Sequence, residues 1–373
     1  MTGALRIAAI EPYAAVSHLS FLESWRASSS HRIEILSLPA RAWKWRMRTS
    51  SLHFAREVAQ RGPYDAYFVS DYLDLAEFTA HLPADHARAP ACVYFHENQL
   101  TYPLQPGEAR DHHFALQHFH ALLVARRALF NSEHHRRTFL AALEELLDHV
   151  PDVEWRSRFE EASERSRVVP LGIDLPAREP RDPGGEPPVV LWTHRWEYDK
   201  DPDTLANALC ELDRRGVGFR LRLLGQRFRE LPPAHGRILE ELADRVVQDG
   251  FLPDRASYLA ALASSQIFVS TARHEFFGLG TLEALRFGLH PVLPDDLAYP
   301  ELLPARLSSD ERARFLYRRS DGPVETLERA VDTVVRGQSL ALRARLVDAT
   351  ERFTWPVVAS ELDRIVAELP RRL

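Results

Sequence analysis

The motif EFFGLGTLE, from Glu275 to Glu283, is the strongest candidate for a functional site, because two glutamates lie on either side of Gly278 and Gly280. Gly278–Thr281 is predicted to turn into a helix, where glycine lets backbone N–H groups approach a phosphate and the helix N-terminus favours negative charge. Glu283, expected in about the first turn, could accept both hydroxyls of a ribose, and Glu275 could hold the hydroxyls of a sugar. The alternative is a capped helix with solvated glutamates.

Two cations, Arg195 and Lys200, follow the predicted strand Val189–Thr193 in THRWEYDKDP. A guanidinium and an ammonium together suit a diphosphate leaving group. They would neutralise the charge that develops as a glycosyl bond breaks, without requiring a metal. The alternative is a surface ion-pair cluster with Glu197 and Asp199.

A histidine, His96, directly follows the predicted strand Ala91–Phe95 in YFHENQ. It would position or polarise a sugar hydroxyl, and a structural histidine is the alternative.

The segment YAAVSH, which ends at His18, follows the first predicted strand, where a donor or acceptor loop would lie. The candidates for acceptor contacts in these two segments are Ser17, His18, Glu97 and Asn98.

The segment Arg41–Arg48, RAWKWRMR, follows the predicted strand Ile33–Leu38 and contains cations and tryptophans but no acid. Aromatic faces stack on bases and cations bind phosphates, so this mixture predicts a loop with an RNA-binding surface. The alternative is a loop whose tryptophans pack in the core. The candidate RNA contacts are Arg41, Trp43, Lys44, Trp45, Arg46 and Arg48.

Short apolar runs alternate with amphipathic stretches along the chain, which indicates parallel sheets in α/β domains. A segment rich in proline and glycine, Leu175–Pro188, interrupts the alternation. The further predicted strands are Leu5–Ile10, Ala66–Val69, Ala128–Phe130, Val168–Pro170, Arg220–Leu224, Val246–Val247, Ile267–Ser270 and His290–Leu293. The predicted helices include Leu73–His81, Asp111–Arg126, Asp203–Arg215, Arg255–Ser264, Thr281–Phe287 and Pro356–Leu369.

These elements predict two Rossmann-like domains that face each other across a cleft. We expect an acceptor domain over 1–175, a linker over 176–188 and a donor domain over 189–350. The C-terminal helix, in 351–373, is a candidate to cross back to the N-terminal domain. Ligands of doubly wound folds bind outside the carboxyl ends of the strands, which is where the residues above occur.

Composition narrows the classes of partner. The 373 residues carry a net charge of -6, which argues against a general nucleic-acid coat but not against a local basic patch. No apolar run approaches the ~20 residues of a membrane span, and no secretory leader is recognised. Cys92 and Cys210 lie far apart and give neither a disulfide framework nor a zinc spacing, so we expect a cytoplasmic protein.

Two residue types are distributed unevenly. Only two of the 47 basic residues are lysines, Lys44 in RAWKWRMR and Lys200 in the proposed diphosphate site. Histidines are concentrated before residue 176. Six of them are candidate metal ligands, but they form no acid–histidine set with a recognisable ligand spacing, so we predict no metal site. These histidines are His112, His113, His118, His120, His134 and His135.

The donor motifs resemble those of retaining GT-B glycosyltransferases of the GT4 type. More narrowly, the stretches PARAWKWRMRTS, YFHENQLTYP, FNSEHH, HRWEYDKDP, STARHEFFG and DLAYPELLP resemble the tRNA-queuosine mannosyltransferase family. The resemblance is colinear from about Ile7 to Pro304. It departs in YAAVSH, where relatives have a glycine-rich loop and this chain has Ala14 and Ala15.

This resemblance implies a GT-B fold, a GDP-mannose donor, no metal, and mannosylation of the queuosine cyclopentenediol at the wobble position of tRNA for aspartate. It assigns the diphosphate to Arg195 and Lys200, and the ribose to Glu283. His96 would lie near the reacting sugar. The mannose and phosphates would be held by Glu275 and the backbone of Phe276, Phe277, Gly278, Leu279 and Gly280.

We therefore expect a retaining transfer whose catalytic residues are His96, Arg195, Lys200 and Glu275, with the leaving phosphate as base. No well-placed carboxylate nucleophile is evident for a double displacement. The expected partners are tRNA and a nucleotide sugar, with no membrane and no obligate protein partner. Two alternatives stay open: a GT4 enzyme with a lipid-linked or small-molecule acceptor, and a non-catalytic nucleotide-sugar or RNA-binding module.

Overall fold

The computed structural model describes residues 3–104, 107, 109–225 and 231–369. The chain divides into unit 1, formed by Met1–Asp174 with Phe353–Leu373, and unit 2, formed by Leu175–Arg352. Each unit contains a six-stranded sheet in which every recorded pairing is parallel, with helices between successive strands. The predicted α/β class with two Rossmann-like domains is thereby confirmed.

The sheet of unit 1 has the strand order β2-β1-β3-β4-β5-β6. Alternate residues of a strand point to opposite faces, and both faces are apolar here: Ile7 and Ala9 pack on one side, Ala8 and Ile10 on the other. The elements are β1 (Arg6–Ala14), α1 (Val16–Ser28), β2 (Arg32–Pro39), α2 (Trp43–Arg61), β3 (Ala66–Ser70), α3 (Leu75–His81), β4 (Ala91–Phe95), α4 (His112–Val124), β5 (Arg127–Phe130), α5 (Glu133–Leu147), α6 (Arg156–Glu164) and β6 (Ser166–Val168).

The last helix of the chain, Trp355–Ala367, belongs to unit 1 and packs beside α1. Asp363 on this helix accepts hydrogen bonds from Trp25 Nε1 at 2.9 Å, from Ser29 Oγ at 2.6 Å, and from the backbone N–H and hydroxyl of Ser30 at 2.6 and 2.8 Å. A side chain about 340 residues earlier in the sequence is thus held by the C-terminal helix.

The sheet of unit 2 has the order β12-β11-β10-β7-β8-β9. Its strands are β7 (Val189–Trp192), β8 (Arg220–Leu223), β9 (Val246–Asp249), β10 (Ile267–Val269), β11 (His290–Pro294) and β12 (Leu316–Tyr317). Its helices are α7 (Pro202–Arg214), α8 (Pro233–Glu241), α9 (Arg255–Ala263), α10 (Leu279–Arg286), α11 (Tyr299–Leu302), α12 (Ser309–Arg312), α13 (Val324–Val335) and α14 (Leu340–Ala349), and the C-terminal helix of unit 1 is α15.

The segment predicted as a linker, 176–188, packs on unit 2. Arg178 N–H donates to the carbonyl of Arg286 at 3.0 Å, and the buried Arg343 guanidinium donates to the Arg181 carbonyl at 3.0 Å. Arg343 also donates to the Gly288 carbonyl at 2.7 Å. Unit 2 therefore begins at Leu175 rather than at the first residue of β7.

Candidate active site

The candidate residues of unit 2 lie where its strand order reverses, since β7 is flanked by β8 on one side and β10 on the other. Ligands of doubly wound sheets bind outside the carboxyl ends of strands at such a point. The segments that follow β7 and β10 are joined, because Thr271 Oγ1 donates to the Lys200 carbonyl at 2.8 Å and Arg273 N–H donates to the Asp199 carbonyl at 2.7 Å. The two donor motifs are therefore adjacent.

Lys200 is buried, and its ammonium connects the two motifs. It donates to the His274 carbonyl at 2.8 Å and lies 3.3 Å from Glu275 Oε2 and 3.2 Å from Asp199 Oδ2. Burial opposes the charge of each group, yet the two carboxylates raise the pKa of Lys200 and the ammonium lowers the pKa of Glu275. Lys200 and Glu275, predicted to bind the phosphate and the sugar separately, thus form one ion pair in which Lys200 is buried and Glu275 is half-buried.

Arg195 lies in the same segment, with 45% of its side chain exposed and Glu197 Oε2 at 3.0 Å. Its neighbour His194 is buried, and burial, together with the charge on Lys200, lowers the pKa of His194 to about 3, so the ring is neutral. Two residues after the end of β8, a Cβ at Gly225 would lie 2.0 Å from the His194 carbonyl oxygen. Glycine is required there for the segment that carries Arg195 to follow its path.

Glu283 is buried and both of its carboxylate oxygens have protein partners. Arg255 donates to Oε1 at 2.6 Å, and the Tyr258 hydroxyl donates to Oε2 at 2.8 Å. Burial, and then the charge of Glu283, holds the pKa of Tyr258 well above its ordinary value. A carboxylate oxygen can accept more than one hydrogen bond, so this arrangement orients Glu283 for a ligand. Sequence analysis missed Arg255 and Tyr258.

The glycine-rich turn is shorter than predicted. Gly278 has φ 90° and immediately precedes α10, so helix α10 begins at Leu279 and Glu283 lies in its second turn. Gly280 is already helical, and a Cβ there would be 3.2 Å from Thr193 Oγ1. The prediction that Gly278–Thr281 forms the turn is therefore wrong, although Gly278 does open the helix. Phe276 and Phe277 of the same motif are buried.

In unit 1, Glu11 of β1, His18 of α1 and His96, which follows β4, lie close together. The Glu11 carboxylate accepts from Tyr13 N–H at 2.8 Å and lies 3.2 Å from His18 Nδ1. The His18 ring stacks on that of His96 with centroids 4.2 Å apart. Burial alone would lower the pKa of His18, but Glu11 raises it to about 9, whereas burial and the charge on His18 hold the pKa of His96 well below its ordinary range.

This pairing makes His18 an imidazolium and His96 a neutral imidazole at neutral pH. Ser17 and His18 lie in the first turn of α1 rather than in a loop, because β1 continues to Ala14 and α1 begins at Val16. Sequence analysis missed Glu11. A lone acid inside the apolar strand IAAIEPY was the signal that could have found it.

Glu97 follows His96 and is half-buried, with Oε1 accepting from the Tyr72 hydroxyl at 2.5 Å and from Gln99 Nε2 at 3.2 Å. Asn98 is fully buried and its side chain is used inside its own turn. Its Oδ1 accepts from the backbone N–H groups of Leu100 and Thr101 at 3.0 and 2.7 Å. Asn98 therefore shapes the turn that presents Glu97.

The prediction that RAWKWRMR forms a loop is wrong, because most of this segment is the start of a helix. Helix α2 begins at Trp43, directly after Ala42, which has φ 52°. Trp43 is half-buried against Phe114, with ring centroids 5.1 Å apart, while Trp45 is 71% exposed. The cations around it are mostly exposed. Only Met47 of this segment belongs to the core. Arg41, Lys44 and Arg48 are exposed and Arg46 is half-buried.

A family model described as the N-terminal region of tRNA-queuosine alpha-mannosyltransferase matches residues 6–173, and one described as a family 4 glycosyltransferase in conflict systems matches residues 152–362. The tRNA-queuosine alpha-mannosyltransferase of Drosophila melanogaster is 35% identical to this chain over 306 residues, which cover 79% of this chain and 81% of that enzyme. This chain belongs to the tRNA-queuosine alpha-mannosyltransferase family. It is a glycosyltransferase, so the predicted family and enzyme class are confirmed.

A second relative is the GDP-mannose-dependent alpha-(1-6)-phosphatidylinositol dimannoside mannosyltransferase of Mycobacterium tuberculosis. It is 30% identical to this chain over 206 residues, which cover 52% of this chain and 50% of that enzyme. Among solved structures, sucrose-phosphate synthase from Thermosynechococcus elongatus superimposes with a TM-score of 0.69 at 17% identity, covering 98% of this chain and 99% of that one. The GT-B fold is thereby confirmed. In the described part of the family member, no helix is long and apolar enough to cross a membrane.

One set of side chains in the family member has metal-like spacing. Glu11, His18 and His96 each place a potential ligand atom within 4.8 Å of the other two. In this structure Glu11 and His18 form an ion pair at 3.2 Å, and the ring of His96 stacks on that of His18. The histidines singled out from the sequence lie elsewhere: His112, His113 and His120 are exposed on α4, His134 is half-buried, and His118 and His135 are buried.

Proposed function

We propose that this protein is a retaining glycosyltransferase that moves mannose from GDP-mannose to the cyclopentenediol of queuosine at the wobble position of tRNA for aspartate. The observation that carries the proposal is the 35% identity across most of both chains to the Drosophila enzyme, whose name specifies queuosine in tRNA and alpha-mannosyl transfer. The name of the mycobacterial relative specifies GDP-mannose. An alpha product from this alpha-linked donor requires retention of configuration at the sugar.

Unit 2 supplies the donor site in this proposal. Arg195 and Lys200 would meet the diphosphate, because one is exposed and the other anchors the adjoining motif. Glu283, oriented by Arg255 and Tyr258, would accept the ribose hydroxyls. Glu275 and the backbone from Phe276 to Gly280 would hold the mannose and phosphates, at the N-terminus of α10, where the helix dipole favours negative charge.

The transfer step is proposed to need no enzyme nucleophile. Glu275 is committed to Lys200 at 3.3 Å, and Glu283 is committed to Arg255 and Tyr258. The acceptor hydroxyl would attack the anomeric carbon on the face that the diphosphate leaves, passing its proton to the leaving phosphate oxygen. Two cations would stabilise the charge of that leaving group, so we propose that no metal is required.

Unit 1 supplies the acceptor site in this proposal. The neutral His96 ring would accept a hydrogen bond from a sugar hydroxyl. The exposed Trp45 and the cations of the first turns of α2 would bind the anticodon loop by stacking and by phosphate contacts. We also propose that the enzyme acts in the cytoplasm, where tRNA is available.

The direct test is transfer of radiolabel from GDP-mannose to tRNA. Queuosine-containing tRNA for aspartate is the substrate, the same tRNA with an unmodified wobble guanosine is the control, and other queuosine-containing tRNAs report selectivity. Label on the modified aspartate tRNA alone is expected. Donor hydrolysis without labelled tRNA would overturn the proposal in favour of another acceptor, and labelling of the unmodified tRNA would overturn queuosine as the acceptor.

The RNA surface has its own test. Trp45→Ala/Arg46→Ala should weaken tRNA binding, because a stacked base is worth about 1–3 kcal/mol, roughly 5- to 150-fold in Kd. Arg137→Ala, on the exposed face of α5, is the control for loss of a cation elsewhere on unit 1. Binding is measured by filter retention of labelled tRNA, with GDP binding by calorimetry. Normal tRNA binding by the double variant would contradict the RNA role of α2.

A further inference from the structure

Glu97 is a carboxylate that is held in place yet has one oxygen to offer. Its Oε1 accepts from the Tyr72 hydroxyl and from Gln99 Nε2, whereas Oε2 has no hydrogen bond or ion pair with any residue that the structure describes. Tyr72 is itself fixed, since it is buried and its ring stacks on Tyr13 with centroids 5.0 Å apart. The half-buried carboxylate is therefore oriented in advance of binding a ligand.

A second carboxylate lies close behind it. Asp71 is 2% exposed, and its Oδ1 accepts from His96 N–H at 3.0 Å, while its other oxygen has no hydrogen-bond partner in the described part of the chain. Burial and then the charge of Glu97 hold the pKa of Asp71 well above its ordinary value, and the same two causes raise the pKa of Tyr72. The surroundings of Glu97 are thus short of positive charge.

The cations nearby do not remove this deficit. His18 is paired with Glu11 at 3.2 Å. Arg110 donates to the backbone carbonyls of Gln99 and Tyr102, in the turn after Glu97, at 2.5 and 3.0 Å, and within the described residues no hydrogen bond or ion pair joins it to Glu97. A cationic ligand that reached Glu97 Oε2 would therefore meet a carboxylate that pairs with neither of these cations, and charge-assisted hydrogen bonds of this kind are the strong ones.

Queuosine carries a cation next to the hydroxyls that would take the sugar. A secondary amine, protonated at neutral pH, joins the cyclopentenediol to the methylene of the 7-deazaguanine base, whereas an unmodified guanosine has no charge there. We infer that Glu97 is a specificity-determining residue that recognises the acceptor by pairing its Oε2 with this secondary ammonium, held next to the diol that takes the sugar. The inference rests on the function proposed above.

A cycle of enzyme variant and substrate analogue tests the pairing. Glu97→Gln keeps the shape and the Oε1 acceptor for Tyr72 while removing the charge. The matched analogue is a tRNA whose modified base has a methylene in place of the amine. Initial rates of mannosyl transfer give kcat/KM for both enzymes with both tRNAs. Glu97→Asp retains the charge, and Glu160→Gln on the exposed face of α6 is the charge-matched control.

With the natural tRNA, Glu97→Gln should lower kcat/KM roughly 10- to 100-fold, the range that a hydrogen bond between charged groups is worth. With the methylene analogue, wild type and Glu97→Gln should be equal, because there is no ammonium to pair. Glu97→Asp should keep the preference for the amine. An equal loss with both tRNAs, or no loss with the natural one, overturns the pairing. Failure of the wild type to label natural tRNA is instead the failure of the proposed function.

Discussion

Replacing Lys200 by methionine separates the structural role of its ammonium from its chemical role. The side chain is buried, and methionine fills a similar volume without the charge. The change leaves Glu275 and Asp199, which lie 3.3 and 3.2 Å from the ammonium, without their shared cation. It also leaves the His274 carbonyl without the donor at 2.8 Å.

Removing one partner of a buried ion pair costs about 3–5 kcal/mol, because the remaining charge is left uncompensated. In a unit of the size of unit 2, that loss corresponds to a fall of roughly 6–20 °C in Tm. The loss of one group that stabilises the charge of a leaving group typically lowers kcat by about 10²–10³-fold. Lys200→Met is therefore expected to lower both quantities.

Calorimetry gives Tm, and transfer of label at saturating GDP-mannose gives kcat. The double variant Lys200→Met/Glu275→Gln removes one of the uncompensated carboxylates, so it should recover part of the lost Tm without recovering kcat. Retention of kcat by Lys200→Met to within about threefold, or about 0.65 kcal/mol, would refute a chemical role for the ammonium. A double variant no more stable than the single one would refute the account of the ion pair.

Three further outcomes are expected. Asp363→Asn should lower the free energy of unfolding by about 1–3 kcal/mol at neutral pH. Burial opposes the charge of Asp363, but the hydrogen bonds that it accepts from Ser29, Ser30 and Trp25 lower its pKa, so the difference from wild type in denaturant titrations should vanish as the pH falls through that pKa. Gly225→Ala should lower kcat and Tm together, because its Cβ would lie 2.0 Å from the His194 carbonyl oxygen. If the thermal scan and the turnover were both unchanged, the segment that carries His194 and Arg195 would have moved to make room. Dialysis against a chelator should leave transfer unchanged, and activity that returns only on adding a metal would point to Glu11, His18 and His96.

The strands were predictable where both faces are buried. Ala91–Phe95 was predicted with the bounds that β4 has, because all five residues are buried and apolar. The two-residue strand Leu316–Tyr317 was missed, since it is too short to form a pattern. The start of α2 was taken for a loop because cations and tryptophans dominate it. The helical spacing of its buried residues Met47, Phe54 and Val58 was the available signal.

The candidate site was predictable only in part. Positions directly after strands indicated which residues share a sheet edge, and Lys200 and Glu275 were both assigned to the donor site, but their ion pair was not predicted. The partners that orient the site come from far along the chain: Tyr258 is 25 residues from Glu283, and Tyr72 is 25 residues from Glu97. No local pattern links residues at such separations, because the fold alone brings them together.

The hydrogen bond between Trp25 and Asp363 also sets an order for biosynthesis. The two residues are 338 positions apart, and all of unit 2 is synthesised between them. At about 5–20 residues per second, Asp363 follows Trp25 by roughly 17–70 s. During that interval the face of the first sheet that α15 covers, including Phe68 and Tyr94, has no helix from the C-terminus to bury it. The first unit to be translated is therefore the last to be completed.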